Sequence, residues 1–241
     1  DRGHDSRVEV RHAMQFGVQG WPLNRPRQPV VRVSWERAIQ FCEWLSRRLG
    51  RKVTLPTETQ WEWACRAGAA TPFYFGGPGA DFSGFANLAD VKLRDAVSHP
   101  YKKENEPLPN PTKYDDWIPR DQSFNDGELV SADVARYRPN AWGLYDMHGN
   151  VWEWTMSAAE AHRSNGTHGR DQNNAIAKRV VCGGSWRDRP ARATASFRLA
   201  YPPFQRVYNV GFRVVMDNRE PISLKTASAD GSVHETDVPN R

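Results

Sequence analysis

Apolar and polar positions alternate in two distinct ways along this chain. From Trp35 the apolar residues Trp35, Ala38, Ile39, Cys42, Leu45 and Leu49 recur at helical spacing, which predicts an amphipathic helix. Ser34 stands ahead of it as an N-cap, Glu36 favours its positive end, and Gly50 closes it. A second, shorter pattern follows. Thr57 with Gln60 three residues on reads as a capping box, Trp61, Ala64 and Cys65 as the buried face, and Gly68 as the stop. Val30–Val33, Val180–Val181 and Phe212–Val215 are short apolar runs and are expected as strands. Elsewhere periodicity is weak. Gly76–Gly79 is a loop, and Tyr101–Pro119 is a charged, proline-rich stretch long enough to be a functional or moving loop. Ala158–Lys178 is polar, with an Asn165-Gly166-Thr167 sequon read as chance.

The densest stretch is Asn140–Thr155, N-A-W-G-L-Y-D-M-H-G-N-V-W-E-W-T. Its sixteen residues hold three of the ten tryptophans, two glycines and two carboxylates. Trp142, Leu144, Val151, Trp152 and Trp154 offer large apolar area, and Gly143 and Gly149 allow positive φ. Asp146 and Glu153 sit among them, and carboxylates in apolar company need a partner or a metal. The stretch predicts a tight loop wrapped on an aromatic core, with both acids turned toward one point. Trp152 and Trp154, two apart, should face the same way with Glu153 opposite.

The length, 241 residues, suits one sizeable domain. Eighteen glycines and seventeen prolines favour turns and irregular backbone. The net charge of +5 comes from 33 basic and 28 acidic residues dispersed along the chain, a solvated surface rather than a nucleic-acid footprint. No run is long and apolar enough to span a membrane. We divide the chain into an arm (1–28), polar and Arg-rich with Trp21-Pro22-Leu23 as its apolar knot, a domain (29–217), and a polar tail (218–241). The start without Met or signal peptide leaves open a processed product or a piece of something longer.

Four boxes in order carry a resemblance: Pro29–Trp35, the Leu55-Pro56-Thr57-Glu58-Thr59-Gln60-Trp61-Glu62-Trp63-Ala64 stretch, Gly143–Trp154, and Gly183-Gly184-Ser185-Trp186 with Gly211-Phe212-Arg213. Together they resemble the formylglycine-generating enzyme, or sulfatase-modifying factor, family. The resemblance implies an α+β, C-type-lectin-like single domain with little regular secondary structure. It also implies calcium. One site would use the side chains of Asp146 and Glu153 with the Gly149 and Val151 carbonyls. The other would use Asn87 and Asp126 with the Leu88 and Glu128 carbonyls. Calcium in turn favours an extracytoplasmic setting, although composition leaves the compartment open.

Family enzymes bind copper(I) through two cysteines shortly after G-G-S-W, a soft dithiolate for a soft ion. Counted from Trp186, those positions are Asp188 and Ala193, and Gly183–Arg213 contains no cysteine. Copper and the oxidase reaction are therefore not expected. Cys42 and Cys65 stand where family members place half-cystines, while the C-terminal match is Val214. A Cys42–Cys65 disulfide and buried inert thiols remain alternatives. The seven histidines show no metal spacing, and Gly183-Gly184-Ser185 lacks a nucleophile-elbow frame. Near G-G-S-W the residues Trp186, Arg198, Tyr201 and Phe204 read as a ligand-binding face for a protein, peptide or small molecule. The function expected is thus a calcium-stabilised binding or accessory module. The alternatives are a family enzyme with altered, small-molecule-tailoring chemistry, or an oxidase using other cysteines, which would need Cys182 beside Cys42 or Cys65 on a solvent cleft.

Overall fold

The computed structural model describes residues 7–8, 21–92, 121–159 and 177–217. The Tyr101–Pro119 loop, the Asn165 sequon, nearly all of the arm up to residue 20 and the 218–241 tail lie outside the described residues.

Among the described residues two α-helices form where capping chemistry places them. Helix α1 is Trp35–Leu49; the Ser34 hydroxyl accepts from the Arg37 N–H, and Gly50 closes it in the left-handed region at φ 62°. Helix α2 is Glu58–Arg66, and the Thr57–Gln60 capping box is reciprocal. Two details differ from the sequence reading. Ala67, at φ 45°, rather than Gly68, takes the left-handed closing position and donates its N–H to the Trp63 carbonyl. Leu49, expected on the buried face of α1, is left exposed at the final turn.

The strands are short: β1 Arg7–Val8, β2 Trp21–Pro22, β3 Val53–Thr54, β4 Trp152–Ala158, β5 Arg179–Cys182, β6 Leu199–Tyr201, β7 Val210–Phe212 and β8 Val215–Met216. The main sheet runs β6-β5-β4-β7, with β4 and β7 parallel; β1 pairs with β2, and β3 with β8. The expected strand at Val30–Val33 does not form. Arg32 turns to φ 56° and its N–H bonds the Val207 carbonyl, so the chain bends where a ladder would continue. The expected Phe212–Val215 strand divides into the end of β7 and the start of β8.

Strand β4 is the axis of the core. Trp152 and Trp154, both buried, pack on α1 through Ala38 and Cys42, and on Leu55, Val181 and Val210. Pleat alternation turns Glu153 to the other face, toward Trp61 of α2. Both of these indoles find an acceptor: Trp154 Nε1 donates to the Val33 carbonyl (2.9 Å) and Trp152 Nε1 to Asp188 (2.8 Å). Leu23 is sealed in a further cluster with Val31, Val130, Val151 and Trp186. Trp142 departs from the expected aromatic core: it is 45% exposed and meets the exposed Trp63 edge-on at 4.3 Å.

Candidate functional site

The 140–155 loop is shaped by its own polar residues. Asn140 donates its side-chain amide to the Ala64 and Cys65 carbonyls, tying the loop to α2, and accepts the Trp142 and Leu144 N–H groups. Asp146, Gly149 and Asn150 all take positive φ. Glycine is required at 149, because a Cβ there would overlap the Asn87 carbonyl. That same carbonyl accepts the Asn150 N–H at 2.8 Å. The two expected calcium sets therefore meet back to back at one backbone contact. Beneath it lies His148, fully buried, with Nδ1 2.7 Å from the Ala193 carbonyl and Nε2 3.2 Å from the Tyr74 N–H. The first contact requires a donor on Nδ1 and the second an acceptor on Nε2, so the ring is neutral.

In the first set, Arg213 meets the two acids differently: its guanidinium pairs with the Glu153 carboxylate but reaches Asp146 only at the backbone carbonyl. Both Glu153 oxygens accept from its guanidinium, at 2.5 and 2.6 Å, and the Trp61 indole donates to Oε2 at 2.6 Å. Arg213 also donates to the Tyr145 and Asp146 carbonyls. Glu153 thus already holds a partly buried, bidentate ion pair. Asp146 accepts the Ala135 N–H on Oδ2, while its buried Oδ1 has no hydrogen-bond partner. Burial raises the Asp146 pKa above the ordinary carboxylate value. A cation at this set would have an open Asp146 oxygen but would share Glu153 with Arg213.

The second set is less committed. Asn87 donates its amide N–H to the Val130 carbonyl, and its buried Oδ1 is left without a partner. Asp126 accepts the Leu88 and Glu128 N–H groups, with Gly127 at φ 86° closing the turn between them. No basic side chain hydrogen-bonds Asp126 among the described residues. Burial first, and Asp90 second, push its pKa up to about 7. Asp90, fully buried, accepts the Asp126 N–H, and nothing in its local sequence marked it. Oxygens of this kind, an orphaned amide and buried carboxylates, are the donors a hard cation takes, although no group of three or more His, Cys, Asp or Glu gathers to hold a metal among the described residues.

Beyond β5 the chain passes through Gly183-Gly184-Ser185-Trp186. Asp188 is buried; its Oδ2 accepts from the Trp152 indole and the Ser185 hydroxyl (2.6 Å), and Oδ1 pairs with Arg192. Ala193 is fully buried against Gly184, where a Cβ on the glycine would collide with it. A cavity of about 360 Å³ opens here, with Arg187, Arg189, Arg192, Tyr201 and Tyr208 on its walls.

The four residues expected as one ligand face do not come together. Tyr201 lines this cavity, whereas Trp186 is buried in the core. Arg198 is held by Glu58 and Glu62 of α2 at 3.2 and 2.5 Å, beside a different concavity, and Phe204 is exposed. The arginines at 187, 189 and 192 are the more concentrated chemistry.

Cys42, Cys65 and Cys182 are free and buried, so the disulfide alternative is not realised. Cys65 and Cys182 share one core cluster, but neither faces a solvent cleft. Burial raises all three thiols, Cys182 to about 12.

A family model described as sulfatase-modifying factor enzyme 1-like domain matches residues 20–218. The formylglycine-generating enzyme of Mus musculus is 29% identical over 209 residues, covering 81% of this chain and 46% of that protein. The inactive C-alpha-formylglycine-generating enzyme 2 of Bos taurus is 32% identical over 192 residues, covering 77% of this chain and 49% of that protein. Among solved structures, PvdO from Pseudomonas aeruginosa matches with a TM-score of 0.56 at 26% identity, covering 82% of this chain and 66% of that one. The chain spans about half the length of these two curated relatives.

Proposed function

The chain belongs to the sulfatase-modifying factor family, and from that premise we propose that it is a calcium-stabilised binding or accessory module without the cysteine-to-formylglycine oxidase activity. Membership alone does not decide activity, since the relatives include a formylglycine-generating enzyme and an inactive counterpart.

The observation that carries the reading is the use made of Asp188 and Ala193. The oxidase reaction needs copper(I) between two thiolates. Asp188 instead offers hard oxygens, already occupied by Trp152, Ser185 and Arg192. Ala193 offers no donor atom and fills the space beside Gly184. The buried, protonated thiols elsewhere are poor substitutes.

Calcium, when bound, supplies a hard divalent charge that ties irregular loops together. Asn87 and Asp126 would hold it in the second set with the Leu88 and Glu128 carbonyls, and Asp146 would lead the first set with Glu153, Gly149 and Val151. The orphaned oxygens of Asn87 and Asp146 support this assignment. The protein's own residues do the rest: Arg213 neutralises Glu153, and Asn140 anchors the loop on α2.

One observation favours a second reading, a small-molecule-tailoring enzyme: the same neighbourhood keeps a ligand-sized cavity. The test begins by incubating the protein with copper, a reductant, dioxygen and a peptide carrying a C-x-P-x-R sequence, followed by mass spectrometry. No aldehyde above a copper-only control is expected, and turnover to aldehyde would overturn the proposal.

A further inference from the structure

We propose that the cavity between the 187–192 turn and β6 binds a small ligand with an anionic head, phosphate or carboxylate, on a flat apolar body. This rests on the binding-module reading, and it names the ligand chemistry of that module.

Charge is the first argument. Three guanidiniums, those of Arg187, Arg189 and Arg192, line the cavity against one carboxylate, Asp188. That carboxylate is already committed: Oδ2 accepts from Trp152 and Ser185, and Oδ1 faces Arg192. It cannot neutralise the remaining arginines. Arg189 makes no side-chain hydrogen bond or ion pair among the described residues. Arg187 spends one N–H on the Tyr208 hydroxyl at 2.7 Å, which fixes the guanidinium and leaves its other donors available. The Arg192–Asp188 pair is 3.3 Å long and half exposed on the arginine side, so little is lost when Arg192 turns to a ligand. Guanidinium forks match the oxygen geometry of phosphate and carboxylate, and several converging forks bind an anion that one would leave in water.

Shape is the second argument. A volume of about 360 Å³ exceeds what an inorganic anion fills and lies in the range of ligand pockets. Leu199 and Val207 supply apolar wall, and the Tyr201 and Tyr208 rings supply flat faces. Burial keeps the Tyr201 phenol protonated well above neutral pH, so it presents a donor to an anion. The lining therefore joins basic side chains to apolar and aromatic ones, a combination that selects an aryl or planar acid over a bare ion.

Isothermal titration calorimetry of the whole chain would use four probes: phenyl phosphate, benzoate, phenol and inorganic phosphate. Phenyl phosphate and benzoate should bind, with affinity falling as salt rises. Phenol should not bind, and inorganic phosphate should bind at least about tenfold more weakly than phenyl phosphate. Arg189→Gln, at an exposed and unpartnered position, should weaken phenyl phosphate binding several-fold without moving the ligand-free melting temperature. Arg187→Gln with Arg189→Gln should abolish binding, while Arg37→Gln on the exposed face of α1 should leave it unchanged. Phenol binding as tightly as phenyl phosphate would overturn the anionic head, and inorganic phosphate binding equally well would overturn the apolar body. Wild-type affinity in Arg189→Gln and in the double variant, or no binding of either aryl acid, would overturn the site. The aldehyde assay is independent of these readings: aldehyde formed by a protein that still binds phenyl phosphate would remove the non-oxidase reading and leave this pocket standing.

Discussion

Acidification should cost this fold stability through one histidine. His148 is fully buried, donates from Nδ1 to the Ala193 carbonyl, and accepts the Tyr74 N–H on Nε2. The Cys65 thiol lies 3.5 Å from the same Nε2, and the Arg66 charge nearby further disfavours a cationic ring. Protonating Nε2 would convert that acceptor into a donor facing a donor. Burial accordingly lowers the pKa from 6.5 to about 4. The unfolded chain takes the proton first, so the stabilisation is complete above about pH 6.5 and is lost as pH falls toward 4. A difference of about 2.5 units at ~1.4 kcal/mol each amounts to roughly 3 kcal/mol. For a domain of this size that is a fall of roughly 6–12 °C in melting temperature. Carboxylates titrate in the same window, so wild type must be compared with His148→Gln, which keeps an amide donor for Ala193 but does not ionise. Melting curves followed by tryptophan fluorescence between about pH 7 and pH 4 should be steeper in pH for the wild type by that amount. Equal slopes would mean that the ring ionises freely, and the buried neutral histidine would have to be abandoned.

Chelation by EGTA should lower the melting temperature, because a cation bound only to the folded state stabilises it by mass action. Asp126→Ala and Asp146→Ala should each shrink that response, and identical curves with and without chelator would refute both calcium sets. Glu153→Gln, measured by urea denaturation in chelator, strands Arg213. It should cost about 2–4 kcal/mol, under the full buried-pair loss because the arginine side chain is 25% exposed. Adding Arg213→Met should recover part of that loss, and strictly additive losses would show that the pair is uncoupled. Trp154→Ala should cost ~3–5 kcal/mol as a large core deletion, and a loss below about 1 kcal/mol would remove β4 from the centre of the core.

The features legible in the sequence are those decided within a few residues. Ser34, Gly50 and the Thr57–Gln60 box fix helix ends because capping bonds span three or four positions. The Trp152-Glu153-Trp154 alternation follows from the pleat alone. Asn125–Glu128 forms its turn because short polar side chains bond their own backbone. The order of the four boxes sufficed to identify the family, and with it the α+β fold. Pairing across the chain was not legible. Arg213 could have met Asp146, Glu153 or solvent, and only the parallel docking of β7 on β4 lays it across Glu153. Arg198 reads as a free recognition residue until α2 brings Glu58 and Glu62 against it. Trp186 reads as a binding aromatic until Leu23 and Val130 close over it, and Asp90 has no signal until the Asp126 turn folds back onto it. Local bonds are set by spacing along the backbone. The partner of a charge or an aromatic ring is set by which distant segments exclude water together, and that is decided only when the tertiary fold closes.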